Sequence, residues 1–136
     1  VKIDVEGSEL KVINGGIQTI AQMHEHLQHV DGVMIGRAAY ANPYMMASVD
    51  QEFYGDDRAV MSRHDILREY MPYVIEHVRH GAPLRMFAKH LMGLFLGEVG
   101  AKAWRRSLAK SGCLRQSSLD NFIRVCEDVL SGHVLC

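Results

Sequence analysis

The sequence is poor in cysteine, lacks a long apolar run and has one broad stretch nearly free of acids. Three cysteines, Cys113, Cys126 and Cys136, occur among 136 residues. Their spacing is neither metal-type nor redox-type, which argues against a zinc site or a CxxC oxidoreductase. An odd set of thiols without a framework fits a reducing, cytosolic setting, with small buried or exposed side chains. No apolar run approaches the ~20 residues of a membrane-spanning helix. No secretory signal is visible in this stretch, and there are no internal repeats or low-complexity segments. The chain opens at Val1 without a methionine, so a fragment is the expectation.

Charge is unevenly spread. The net charge of −1 combines −5 over residues 1–60, from four Lys/Arg and nine Asp/Glu, with +4 over residues 61–136, from eleven and seven. From Arg79 to Arg115 there are eight basic residues and one acid, Glu98. Such a local excess is the electrostatic footprint of a surface for a polyanion, nucleic acid first of all. The histidines His24, His26 and His29 do not converge on one helical face, so a solvated surface is expected there rather than a metal site. His77 and His80 are expected to be ordinary surface histidines near the basic tract.

Two short segments carry the first half. Ile13-Asn14-Gly15-Gly16-Ile17 and Asp31-Gly32-Val33-Met34-Ile35-Gly36-Arg37-Ala38 each read as an apolar strand running into glycine and a polar group. Gly15 and Gly36 are twenty-one residues apart, room for a strand, a crossover helix and a parallel strand. Glycine admits close backbone approach and angles that a Cβ disfavours, and Arg37 offers a planar fork for phosphate. Paired β-to-loop junctions of this kind form phosphate cradles at the C-terminal face of (β/α)8 barrels. A whole barrel needs roughly 200 residues or more, so six strands would lie outside this chain.

Strands are thus predicted at Leu10–Asn14 and Val33–Ile35, with a helix from the Thr19 cap to about His29. Asn42-Pro43 interrupts a short helix after Gly36. From about residue 61 the pattern becomes helical throughout. Ser62-Arg63-His64-Asp65 resembles a capping box before a helix that Pro72 should kink or split and Gly81-Ala82-Pro83 should end. A second helix is expected over Leu84 to about Leu96, and a third over Ala101–Ser111 around Trp104 and Leu108, stopped by Gly112. A fourth, capped by Ser117, carries Leu119, Phe122, Ile123, Cys126, Val129 and Leu130 inward, with Gly132 after its end. The fold expected is α/β plus all-α: the last two β/α units of a (β/α)8 barrel over residues 1–60, then a four-helix bundle over residues 61–136.

Asn14-Gly15-Gly16-Ile17, Val30 through Tyr40, and Asn42-Pro43-Tyr44 together resemble the end of the flavin barrel of tRNA-dihydrouridine synthases. Gly100-Ala101-Lys102-Ala103-Trp104-Arg105-Arg106 resembles the helical-domain motif of the A-type bacterial subfamily. The resemblance covers Leu10 to about Gly132. It implies an enzyme that reduces tRNA D-loop uridines to dihydrouridine with FMN and NADPH. It also implies that FMN phosphate sits on Asn14, Gly15, Gly16, Gly36 and Arg37, and that Lys102 and Arg105, with the adjacent Arg106, contact tRNA. Lys102, Arg105 and Arg106 fall at i, i+3, i+4 on one helical face, and Arg85 and Lys89 form a second basic i, i+4 pair. The family's catalytic cysteine lies upstream of Val1, so none of the three cysteines is assigned catalysis, and the chain alone is expected to be inactive. Unpaired barrel strands also predict self-association or partial disorder of residues 1–60, with the bundle folding better. Two alternatives stay open: the tail of another FMN-dependent barrel oxidoreductase acting on a small molecule, and a non-enzymatic RNA-binding helical module.

Overall fold

Thr19 starts the first helix by satisfying its own end. In the computed structural model, which describes residues 16–113 and 118–132, the Thr19 side-chain oxygen accepts the Gln22 N–H at 3.2 Å. The Gln22 side chain returns the bond to the Thr19 N–H at 3.2 Å, closing a capping box. Helix α1 (Ile20–Leu27) buries Met23, with Ile17 buried just ahead of it. It ends two residues short of the expected His29, because the N–H groups of Gln28 and His29 bond to Glu25 and His26, the tight last turn common at helix ends.

The chain divides into two units, Val1–Arg58 and Ala59–Cys136. In the first, α1 is followed by α2 (Arg37–Ala41), a 3₁₀ turn over Pro43–Ser48 with Pro43 at its start, and α3 (Val49–Tyr54). Gly55 closes α3 at φ 66°, a conformation suited to glycine. There is no β-strand among the described residues, which corrects the expectation for Val33–Ile35. A strand exists through its ladder, and this segment pairs with no other described residue. Met34 is 40% exposed, whereas a doubly covered strand would bury it. The other expected strand, Leu10–Asn14, lies outside the described residues.

The second unit contains α4 (Arg63–Arg79), α5 (Arg85–Leu91), α6 (Ala101–Cys113) and α7 (Ser118–Leu130). Helix α6 packs on α5 and α7, and α7 packs on α4. Ser62 caps α4 by accepting the Asp65 N–H at 3.1 Å, while its hydroxyl donates to Asp65 Oδ2 at 2.6 Å. That bond, with help from Arg68, holds the Asp65 carboxyl below its usual range.

Pro72 does not split α4, which runs as one 17-residue helix. Proline removes one backbone donor, and exposed Pro72 lies on the wet side, where water can satisfy a freed carbonyl. The helix ends in a Schellman motif: Gly81 has φ 96°, its N–H bonds to Val78 O at 3.0 Å, and the Ala82 N–H bonds to His77 O at 3.0 Å.

The helix expected to reach Leu96 stops at Leu91. The Leu91 carbonyl accepts both the buried Trp104 Nε1–H at 2.9 Å and the Leu94 N–H at 3.1 Å. The chain continues as tight turns through Gly97 at φ 88° and Gly100 at φ 84°. Leu94 and Phe95 stay buried in those turns. Gly112 does not end α6, which extends to Cys113, and Ser117 lies outside the described residues. Trp104, Leu108, Phe122 and Cys126 are each at most 1% exposed and form the centre of this unit.

Candidate functional site

The residues expected to hold a phosphate divide by what is described. Asn14 and Gly15 lie outside the described residues. Gly16 is exposed and precedes the buried Ile17. Gly36 sits just before α2 with φ −113° and ψ −82°, and its carbonyl accepts the Tyr40 N–H at 3.1 Å. Its φ is negative, so the expectation of an angle needing glycine is corrected here. A Cβ at Gly36 would meet nothing within 4 Å, so the chain's own packing does not demand glycine at this position. Arg37 follows it, exposed, and forms no ion pair among the described residues. An exposed guanidinium with no ion pair among the described residues can offer a charge-assisted fork to an anion. Nearby, Asn42 Oδ1 is buried without a hydrogen-bond donor among the described residues, an acceptor able to take a bond from a bound group.

His24 is engaged elsewhere. Its Nε2 lies 3.1 Å from Glu52 Oε2 and its ring stacks on Phe53 at 4.4 Å, tying α1 to α3. Among the described residues, no three His, Cys, Asp or Glu side chains are grouped to hold a metal ion. In the hook after α3, Arg58 binds Asp56 through Nε and its backbone N–H. The guanidinium bond holds the Asp56 carboxyl down to about 2.

The strongest electrostatic feature is on the second unit. Helices α5 and α6 contain no acid. Arg85 and Lys89 on α5, and Lys102, Arg105 and Arg106 on α6, are all exposed. None of the five forms a salt bridge among the described residues. The fold explains the display. Trp104 and Leu108 point inward from α6, so residues at the complementary helical positions must face water. Phe87, Ala88 and Leu91 do the same for α5. The indole bond to Leu91 and the edge-to-face contact of Phe95 with Trp104, at 5.1 Å and 71°, fix α6 against the segment that carries Arg85 and Lys89.

Sequence reasoning passed over Arg63. Its Nε donates to Leu94 O at 2.9 Å, and it pairs with Glu98 Oε1 at 2.9 Å, clamping the turns between α5 and α6. Its position was the signal: Arg63 lies four and eight residues before buried Leu67 and Met71, on the inner face of α4, where a charge requires partners. A ring cluster was also missed. Tyr73, 48% exposed, lies 4.1 Å from His77 and 5.8 Å from Phe87 between ring centres. His77 and His80 each place Nδ1 2.8 Å from a carbonyl of their own helix, so each donates Nδ1–H there.

Of the cysteines, Cys126 is fully buried, and burial pushes its thiol up to about 12. Such a thiol is a packing group rather than a nucleophile. Cys136 lies outside the described residues. Among the described residues, no helix is long and apolar enough to cross a membrane.

Comparison with known proteins gives the family. The dihydrouridine synthase (Dus) family matches residues 6–129. A tRNA-dihydrouridine(20/20a) synthase of Shewanella oneidensis is 50% identical over 99 residues, 73% of this chain and 30% of that protein. One of a Synechocystis species is 49% identical over 102 residues, 75% of this chain and 30% of that protein. One of Vibrio parahaemolyticus is 43% identical over 108 residues, 79% of this chain and 33% of that protein. The chain therefore spans about a third of the length of the curated relatives it matches. With a family match across nearly its whole length, the chain belongs to the dihydrouridine synthase family.

Proposed function

We propose that this chain is a portion of a flavin-dependent tRNA-dihydrouridine synthase that reduces D-loop uridines, at the 20/20a position named for its relatives. In this reading residues 1–60 form the last two β/α units of the FMN-binding barrel, and residues 61–136 form the helical tRNA-binding domain. The observation that carries it is the pair of acid-free helices α5 and α6, with five exposed cations on a well-packed scaffold. A small-molecule reductase has no use for such a surface, whereas phosphate contacts from Lys and Arg position an RNA.

Gly16, Gly36 and Arg37, with Asn14 and Gly15, would hold the FMN phosphate: backbone N–H groups line it and the guanidinium pairs with it. When bound, FMN supplies the redox chemistry, through which hydride from NADPH reaches the uracil ring. Lys102, Arg105, Arg106, Arg85 and Lys89 bind the tRNA backbone and set its register. Cys126 does not serve as the acid that protonates the uracil, because burial makes it hold its proton too tightly. The isolated chain then grips tRNA without reducing it, and its setting is the cytoplasm, where tRNA is modified. In this reading residues 1–60 self-associate through backbone that barrel neighbours would otherwise cover.

The test is to crosslink the chain to tRNA and map the adducts by peptide mass. Adducts concentrated between Arg85 and Lys110 support the reading. Adducts spread evenly over the surface, or none at low salt, overturn it.

A further inference from the structure

A cleft between α6 and α7 lies outside the motif discussed above. It has a volume of about 300 Å³ and is lined by Ser107, Lys110, Asn121, Arg124, Val125 and Asp128. We propose that this cleft is a phosphodiester subsite that receives the RNA backbone as it leaves the Lys102–Arg106 face. This rests on the reading of the second unit as an RNA-gripping element.

Three observations point to it. Lys102, Arg106 and Lys110 fall at i, i+4 and i+8 of α6, a continuous stripe along one face that leads to the cleft. The stripe ends where α7 adds a guanidinium, and Arg124 is held in place: its Nη2 donates to Asn121 Oδ1 at 2.7 Å. A guanidinium oriented in this way has less freedom to lose when it binds an oxyanion. The cleft's carboxylate does not cancel these charges. Asp128 forms no salt bridge with Lys110 or Arg124, leaving two cations against one acid.

Binding of the 136-residue chain to tRNA over a salt series tests the subsite. Lys110→Gln/Arg124→Gln should weaken binding by about 3- to 10-fold and flatten the log–log salt dependence by roughly one phosphate, about 0.7–0.9 in slope. Asn121→Ala, which frees Arg124 but keeps its charge, should weaken binding with the slope unchanged. Asp128→Asn should tighten it. Circular-dichroism melts identify folded variants, and exposed Lys110 and Arg124 should leave the melt unmoved. If the Lys110/Arg124 pair changes neither affinity nor slope while Lys102/Arg105/Arg106→Glu abolishes binding, the subsite is overturned and the RNA reading stands. If the unaltered chain does not bind tRNA at low salt, the RNA reading fails and the subsite fails with it.

Discussion

Removal of the Trp104 indole should cost stability in two separable parts. Trp104 is 1% exposed, donates to Leu91 O at 2.9 Å and meets Phe95 edge-to-face at 5.1 Å. Trp104→Ala removes the ring and leaves a cavity, a change that costs about 3–5 kcal/mol. Trp104→Phe keeps most of the ring and deletes the donor. The Leu91 carbonyl would still accept the Leu94 N–H, so it is not orphaned. The bond alone is then worth about 1 kcal/mol, with about 1 kcal/mol more for the lost ring volume. For a unit of this size, about 2 kcal/mol corresponds to a fall in Tm of roughly 8–16 °C. Far-UV circular dichroism during thermal and urea unfolding measures both variants, and the chain's sole tryptophan gives a second probe in the unaltered protein. Trp104→Phe melting within about 3 °C of the unaltered chain, or Trp104→Ala costing no more than Trp104→Phe, would refute the claim that the indole holds α6 on α5.

Arg63→Met should destabilise by about 1.5–3 kcal/mol, since a charge-assisted bond to Leu94 O is lost. Glu98→Gln should cost under about 1 kcal/mol, because that side of the pair is half exposed; chemical denaturation ranks the two, and the reverse order contradicts the clamp. Cys126 should resist alkylation in the folded chain and react once it is unfolded, as read by peptide mapping of iodoacetamide adducts. Because its thiol is raised from 9.0 to about 12, folding stability should be full below about pH 9 and decline above it, as the unfolded thiol ionises first. Asp56 behaves oppositely: its carboxyl is lowered to about 2, so the Arg58 hook should persist as pH falls through 4 and open only near 2, which carboxyl-detected NMR titration can follow.

The helical half was largely legible because its apolar residues recur at helical spacing. Trp104, Leu108, Phe122 and Cys126 read as inward from that period alone, and Thr19 and Gly81 mark helix ends by local chemistry that the tertiary fold leaves intact. Other features depended on partners distant in sequence. Leu84–Leu96 has the period of one helix, yet the Trp104 indole thirteen residues after Leu91 takes that carbonyl, and the chain turns. Arg63 looked like the first residue of a capped helix, and its role depends on carbonyls more than thirty residues away. Val33–Ile35 has strand-like composition, but its ladder requires neighbours that the described residues do not supply. Gly36 was legible as a glycine next to an arginine, while its negative φ and the open space around it show that neither a left-handed angle nor packing requires glycine there. The basic surface was visible as composition; its display, with Lys102, Arg105 and Arg106 opposite Trp104, came from the packing.

The most direct test of the account is the affinity of this chain for bulk tRNA across a salt series, beside a Lys102/Arg105/Arg106→Glu variant confirmed as folded. Binding should weaken steeply with salt, with a log–log slope of several phosphates, and should be nearly lost in the variant. Equal binding by the two proteins, or a slope near zero, would contradict the assignment of α5 and α6 as the surface that grips tRNA.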